Sequence, residues 1–175
     1  MHRVAPKFIA TVNEICNNGY DVDYISDSFV RTTRCVGGQL VTSGGAAYKA
    51  IIVPGVKRMP ADVLAQLEKL ARGGATVAFI GGMPEDVPGY GNLEARRKVF
   101  GNALERIKMT IDNSQLGTTP EANRQLPVVN CQLEKGRIII GQDYRETLAL
   151  CGVQPEEVKT QHGMQYIRRR NDKGH

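Results

Sequence analysis

The chain has 175 residues, of which 41% are hydrophobic and 23% are charged, and these proportions are typical of one globular domain. Its formal net charge is +5, but Arg168, Arg169, Arg170 and Lys173 against Asp172 contribute +3 of this in the last eight residues. The remaining +2 excludes the strongly basic surface of a typical nucleic-acid-binding protein, and no apolar stretch is long enough to span a bilayer or to serve as an amino-terminal signal. We therefore expect neither nucleic acid nor a membrane as a partner.

The first predicted elements are a helix and a short strand. Apolar residues recur at helical spacing over residues 6–18. Alternating apolar and polar residues over 21–26 predict a short strand. Residues 37–45 favour a loop with a small extended piece at Leu40 and Val41.

The centre of the chain is predicted to form a strand, a helix and a second strand. Residues 50–55 and 76–82 contain short unbroken apolar runs, which are typical of parallel strands buried on both faces. Residues 60–72 place apolar side chains at helical spacing, and the glycines at 73–74 end this helix. The side chains predicted to turn outward from the helix are Gln66, Glu68, Lys69 and Arg72.

The remaining part of the chain alternates between helical and extended patterns. The predicted elements are a Pro- and Gly-rich loop over 83–92, a helix over 93–109, a weakly patterned stretch over 112–127, a strand over 136–142, a helix over 144–150 and an extended segment over 164–168. The loop over 83–92 follows a predicted parallel strand, and open α/β sheets bind their ligands at the carboxyl ends of such strands.

These elements predict an α/β protein with a single domain over residues 1–175 and an open, mostly parallel sheet. A doubly wound sheet normally begins with a strand that the first helix crosses over, whereas this chain opens on the helix. We therefore expect either an unusual strand order or a sheet that lacks its first strand.

Four segments of the chain resemble one known family. They are residues 18–25 (NGYDVDYI), 48–55 (YKAIIVPG), 73–84 (GGATVAFIGGMP) and 162–169 (HGMQYIRR). Together they resemble the amidotransferase-like domain of large bacterial glycoside hydrolases, and the α-L-rhamnosidase family is the most similar. The resemblance is strongest over 15–90 and 160–170 and does not extend to 110–135.

The resemblance implies a flavodoxin-like fold with three layers, of the class I glutamine amidotransferase type, and a chain that is a fragment of a larger protein. In that family the catalytic carboxylates lie on a separate barrel domain that precedes this one. The implied partners are the other domains of the parent glycoside hydrolase, with carbohydrate and a second copy of the chain as further candidates. Family members are usually exported to the periplasm or the cell surface.

Amidotransferases of this type place a cysteine on a sharp turn after a strand, and a histidine takes its proton. The matching turn in this chain spans residues 80–84 and contains neither a thiol nor a hydroxyl. His162 is a poor candidate for the general base, because it lies in a predicted extended segment. We therefore expect no catalysis of that type and no catalytic residue in this chain.

The other reactive groups do not occur at the spacings that a catalytic, cofactor-binding or metal-binding site requires. Glu85 and Asp86 are adjacent, and solvated loop carboxylates are favoured over a pair of acids that converge on one substrate. The residues Gly-Tyr-Gly-Asn at 89–92 lack the third glycine of a dinucleotide fingerprint. The four cysteines have no metal-binding spacing and are predicted to be structural, with a disulfide left open. We expect neither a metal nor another cofactor.

Two functional hypotheses follow. The first is a non-catalytic structural or interaction module of a glycoside hydrolase. The second is a free-standing protein of amidotransferase-like fold that binds or hydrolyses a small ligand at the strand ends. The residues predicted to line such a ligand site are Pro54, Gly55, Gly81, Gly82, Met83 and Pro84. The first hypothesis is favoured because it explains a nucleophile turn that has no nucleophile.

Overall fold

The computed structural model describes residues 6–115 and 128–156, and within them the chain forms five helices and seven strands. The helices are α1 (Pro6–Asn17), α2 (Asp27–Thr32), α3 (Ala61–Arg72), α4 (Leu93–Gln115) and α5 (Tyr144–Leu150). The strands are β1 (Arg34–Val36), β2 (Gln39–Val41), β3 (Ala47–Tyr48), β4 (Ala50–Pro54), β5 (Thr76–Ile80), β6 (Val128–Leu133) and β7 (Gly136–Gly141). None of the helices in these residues is long and apolar enough to cross a membrane. The predicted segment over 164–168 lies outside the described residues.

The larger of two sheets has the strand order β4-β5-β7-β6. β4, β5 and β7 are parallel, and Ile51, Val77 and Ile138 are neighbours across the three strands. β6 runs antiparallel to β7. The expectation of a mostly parallel sheet therefore applies only to these three strands, because the hairpin of β6 and β7 and the whole smaller sheet are antiparallel.

Helices α3 and α4 cover one face of the larger sheet. Val77, Phe79 and Ile138 belong to the hydrophobic core on this face and are completely buried. The apolar stripe predicted for α3 is confirmed, since Leu64 and Leu67 are almost fully buried. Unbroken apolar strands such as β5, in which all five residues are buried, need cover on both faces.

Helix α5 covers part of the opposite face, and α1 packs beside it. Ala78 and Ile139 form a buried cluster with Cys151, which directly follows α5. The side chain of Asp143 accepts hydrogen bonds from the backbone N–H groups of the first turn and so caps this short helix. The predicted helix over 144–150 is therefore confirmed.

The smaller sheet is antiparallel with the order β1-β2-β3. Leu40 of β2 is buried and joins the main hydrophobic core, so this sheet packs against the rest of the domain. The predicted extended piece at Leu40 and Val41 is part of β2. The sequence did not predict β1, β3, β6 or α2, and β1 and β3 are too short to carry a clear alternation.

Residues 21–26 do not form the predicted strand. They are exposed, and no described strand pairs with them. An alternating pattern becomes a strand only where a neighbouring strand supplies backbone hydrogen bonds. Residues 21–25 and β4 both line a cavity. No described strand lies beside residues 21–26 to supply these hydrogen bonds.

Candidate functional site

Open α/β sheets bind their ligands at the carboxyl ends of the parallel strands. Pro54 and Ile80 are register neighbours at the ends of β4 and β5. The N–H of Gly55 donates to the carbonyl of Ile80 at 2.6 Å, and the N–H of Gly81 donates to the carbonyl of Gly141 at 2.8 Å. Gly55 and Gly81 have positive φ angles, so the chain leaves both strands in tight turns that favour glycine.

The loops that follow β4 and β5 are bonded to each other. The backbone N–H groups of Glu85 and Asp86 donate to the carbonyl of Lys57 at 2.8 and 3.3 Å, and the N–H of Met59 donates to the carbonyl of Asp86 at 3.0 Å. The side chains of Met59 and Val87 are buried between the loops and the core. The two loops are therefore fixed to each other, while Gly55 and Gly81 at the strand ends remain exposed.

The six residues predicted to bind a ligand lie in different environments. Gly55 and Gly81 approach each other, because a Cβ atom on Gly81 would lie 3.6 Å from the Cα of Gly55. Gly82 is half-buried, Met83 packs against the main core, and Pro84 is completely buried. Pro54 is buried in the strand and also lines the large cavity described below. A ligand site at these residues stays a prediction.

Asp86 holds the loop onto α4. The guanidinium of Arg97 donates to both carboxylate oxygens of Asp86, with Nε–Oδ1 and Nη2–Oδ2 distances of 3.0 and 2.7 Å. The backbone N–H of Val87 donates to the same carboxylate at 2.8 Å. The hydrogen bonds from Arg97, followed by that from Val87, lower the pKa of Asp86 to about 2. Asp86 is therefore ionised at neutral pH and fixes the loop rather than supplying a proton.

Arg96 holds the next part of the same loop. Its guanidinium donates to the carbonyls of Pro88, Gly89 and Gly91 at 2.5, 2.8 and 2.7 Å. The Gly-Tyr-Gly stretch is thus wrapped around an arginine, and Tyr90 at its tip is exposed. For these arginines the sequence predicted only a helix over 93–109. The proline and glycine content of the loop gave no sign of these bonds.

Glu68 forms a buried ion network, which corrects the prediction that its side chain turns outward. It is only 3% exposed. Arg106 binds it with two nitrogens, the closest at 2.6 Å, and Arg72 donates to it at 3.0 Å. Arg72 also pairs with Glu134 at 2.9 Å. Burial alone would raise the pKa of Glu68, but the hydrogen bonds from the two arginines outweigh it and the pKa is lowered.

This network links α3 to α4 and to the turn between β6 and β7, so it stabilises the packing of these elements. Its carboxylate is saturated by arginines, and no substrate could reach it without displacing them.

A large cavity, of about 910 Å³, lies beside β4. Its walls come from α1, residues 20–25, the hairpin of β2 and β3, the outer edge of β4 and residues 153–156. A hydrogen bond and a ring contact are among the interactions that link these walls. The Tyr48 hydroxyl donates to Asp23 at 2.7 Å, which raises the pKa of Tyr48, and the rings of Phe8 and Tyr24 lie 6.0 Å apart. No sequence pattern predicted this cavity.

The four cysteines are free thiols. Cys131 and Cys151 are buried, and Cys16 and Cys35 are half-buried. Burial raises the pKa of Cys151 to about 11, so its sulfur is a thiol at neutral pH. Among residues 6–115 and 128–156, no group of three or more His, Cys, Asp or Glu side chains could hold a metal ion. His162 lies outside the described residues.

Comparison with known proteins points to one family. A family model described as alpha-L-rhamnosidase matches residues 4–175. Among solved structures, the rhamnosidase from Novosphingobium sp. PP1Y is 25% identical with a TM-score of 0.54. That match covers 77% of this chain and 11% of the rhamnosidase, so the chain spans a small part of its length. No curated protein matches the chain.

Proposed function

Because the chain belongs to the α-L-rhamnosidase family, we propose that it is a non-catalytic structural or interaction module of a glycoside hydrolase that acts in carbohydrate metabolism. The similar rhamnosidase of known structure is a much longer chain, of which this protein covers 11%. On this proposal the other domains of the parent enzyme are the partners of the module, and they carry the catalytic carboxylates.

The observation that supports the non-catalytic role is the turn after β5, which carries no reactive side chain. The turn after β5 consists of Gly81, Gly82, Met83 and Pro84, which offer no nucleophile. Asp86 is committed to Arg97 and Val87, and its low pKa makes it a poor general acid. A reaction of the amidotransferase type at this edge would need a nucleophile, and the described turn after β5 provides none, while Glu85 beside it is an exposed loop carboxylate.

We also propose that the module has the flavodoxin-like fold of an amidotransferase-like accessory domain. This proposal is supported by the parallel strands β4, β5 and β7 and by helices that pack on both faces of the sheet. The antiparallel strand β6 extends the sheet at one edge. The opposite edge, at β4, is where a further strand of such a fold would belong.

The parent enzyme provides the direct test of the non-catalytic role. The parent polypeptide, with and without the double substitution Glu85→Gln and Asp86→Asn, is assayed on 4-nitrophenyl α-L-rhamnopyranoside. We expect kcat to stay within about twofold, since a general acid or base contributes on the order of a hundredfold or more. Circular dichroism checks that the variant remains folded. A folded variant whose kcat falls a hundredfold would contradict the proposal.

A second candidate function is ligand binding at the strand ends, with Pro54 as the link to the large cavity. It is tested by titrating L-rhamnose into the chain and following the backbone amides of Gly55, Gly81 and Gly82 by NMR. Saturable shifts centred on these amides would support a ligand site there. Unchanged spectra at millimolar sugar would argue against such a site. The structural role would then be the remaining candidate function.

A further inference from the structure

A row of polar side chains crosses the larger sheet near the amino ends of β5 and β7. Thr76 of β5, Arg137 of β7 and Gln132 of β6 are register neighbours. Register neighbours on adjacent strands place their side chains on the same face of a sheet. This is the face that α5 partly covers, because Ile139, two residues along from Arg137, belongs to the buried cluster with Cys151. The row therefore lies at one edge of that face.

A pocket of about 300 Å³ lies beside this row. Lys135, in the turn between β6 and β7, lines it together with Thr76, Arg137 and Gln132. Since one water molecule takes about 30 Å³ in the liquid, the pocket has room for a small polyatomic ion and several waters. The other described lining residues are glycines, which contribute no side chains and so leave the pocket open: Gly38, Gly74 and Gly136.

The side chains of the pocket are rich in hydrogen-bond donors. Nε of Arg137 donates to the Thr76 hydroxyl at 3.2 Å, and among the described residues no acceptor is bonded to the two terminal nitrogens of Arg137. The Thr76 hydroxyl accepts this bond and keeps its own hydrogen to donate. Lys135 adds an ammonium group, which has donors only, and Gln132 adds an amide that donates or accepts. Such a set of groups suits an acceptor-rich ligand.

The two positive charges of the pocket have no carboxylate partner among the described residues. Glu134, next to Lys135 in the chain, instead accepts a hydrogen bond from Arg72 at 2.9 Å. Arg137 is half-buried, so water solvates its charge less well than that of an exposed arginine. Four other arginines, in contrast, each pair with an aspartate or a glutamate: Arg31, Arg72, Arg97 and Arg106.

The carboxyl end of α3 does not take up these charges. Gly74 of the pocket follows this helix closely. The carbonyls of residues 69–71 accept hydrogen bonds from the backbone N–H groups of residues 73–75. No side-chain hydrogen bond from Arg137 or Lys135 reaches a carbonyl of the described residues. Capping of α3 therefore does not account for the two positive charges.

We propose that this pocket binds an oxyanion, a carboxylate or phosphate group, which Arg137 holds and the charge of Lys135 attracts. A guanidinium presents its N–H groups as a planar fork that matches two oxygens of a carboxylate or a phosphate. Thr76 fixes the guanidinium through Nε, which leaves the terminal nitrogens for the anion. This inference goes beyond the proposed function and does not depend on it.

Titration with inorganic phosphate tests the pocket. The backbone amides of residues 132–137 in the isotope-labelled 175-residue chain are followed by NMR, at a constant ionic strength set with sodium chloride. We expect saturable shifts centred on these amides, with a dissociation constant of about 1 mM, because a few charge-assisted hydrogen bonds in a solvated pocket give weak binding. Shifts that grow linearly throughout the titration would overturn the proposal.

Substitution of Arg137 and of a matched arginine locates the site. Arg137→Gln is expected to weaken phosphate binding at least tenfold, since it removes hydrogen bonds between charged groups. Arg137→Lys keeps the charge but loses the fork, and should weaken binding about threefold. Arg34 of β1 is exposed and is not among the lining residues, so Arg34→Gln should leave the affinity unchanged within twofold. Equal weakening by Arg34→Gln and Arg137→Gln would contradict the site.

A milder substitution keeps the test valid if circular dichroism shows that Arg137→Gln is unfolded. Lys135 is exposed in the turn, so Lys135→Gln removes one charge of the pocket without disturbing a strand. It should weaken phosphate binding about threefold, as expected for a solvated charge. A folded Lys135→Gln variant with unchanged affinity would contradict the part assigned to Lys135.

A parallel titration with acetate distinguishes the two kinds of oxyanion. Tighter binding of phosphate would support the site and assign it to a phosphate group, whereas equal or tighter binding of acetate would support it and assign it to a carboxylate. No saturable shift with either anion would overturn the proposal. The kcat assay on the parent still judges the non-catalytic role, so the two proposals fail separately.

Discussion

The two sides of the larger sheet differ in how completely they are covered. On the side of α3 and α4, Val77, Phe79 and Ile138 are fully buried, and the Glu68 network ties both helices to the turn of β6 and β7. Beside β4, in contrast, α1, residues 20–25 and the strand line a cavity of about 910 Å³. The difference indicates that packing on the first side contributes most of the stability of the domain.

Core truncation should show this contrast most strongly. Leu64 of α3 is fully buried, and Leu64→Ala is expected to lower the free energy of unfolding by about 4 kcal/mol, from lost burial and the space left behind. Phe29 on the cavity side is 53% exposed, and Phe29→Ala should change it by less than about 0.5 kcal/mol. Urea unfolding of both variants measures the difference. Similar losses at the two positions would remove the contrast.

A glycine on the closed side provides the next test. A Cβ atom on Gly136 would collide with the carbonyl oxygens of Ala71 and Ala75, which belong to rigid backbone. Gly136→Ala should therefore cost about 3 kcal/mol of unfolding free energy. Gly101 of α4 has no neighbour within 4 Å of its Cβ position, and Gly101→Ala should stabilise the helix by about 0.5 kcal/mol. A Gly136→Ala variant as stable as Gly101→Ala would show that the α3–β7 contact is looser than described.

The ion network should contribute less than the packing around it. Glu68→Ala removes hydrogen bonds from Arg72 and Arg106 to a buried carboxylate and should cost about 2 kcal/mol. The control is Asp62→Ala, which breaks an exposed pair with Arg31 and should cost less than about 0.5 kcal/mol. Urea midpoints of both variants give the comparison. Equal costs would mean that burial of Glu68 adds nothing.

The same network predicts a pH dependence. The pKa of Glu68 is lowered below its ordinary value of 4.5, so its stabilising effect is complete above 4.5 and is lost as the pH falls through the lower folded value. The stability difference between the wild type and Glu68→Ala should therefore shrink between pH 7 and pH 3. Unfolding curves at several pH values measure it. A difference that stays constant or grows on acidification would contradict the assigned pairing.

Strong local patterns were sufficient for much of the fold. The apolar run of β5 and the helical spacing of α3 predicted both elements, because their burial follows from residues near in sequence. The α-L-rhamnosidase part of the resemblance is confirmed by the match over residues 4–175. The amidotransferase-like part and the six residues at the strand ends stay predictions.

Features that depend on residues far apart in the chain could not be predicted from local sequence patterns. Glu68 was predicted to face outward because its partner Arg106 lies 38 residues further along the chain. The bonds of Arg96 and Arg97 to the loop before α4 depend on the fold of that loop rather than on a motif. Residues 21–26 have a strand pattern but pair with no strand among residues 6–115 and 128–156, and a sequence pattern does not report where its hydrogen-bond partner lies.

The mass of the native polypeptide tests the central claim most directly. An immunoblot of source cells with an antibody against this chain, followed by mass spectrometry of the band, measures it. A module of a glycoside hydrolase predicts a product several times larger than 19.2 kDa, with peptides of further domains in the same band. A band at 19.2 kDa that contains only these 175 residues would contradict the account.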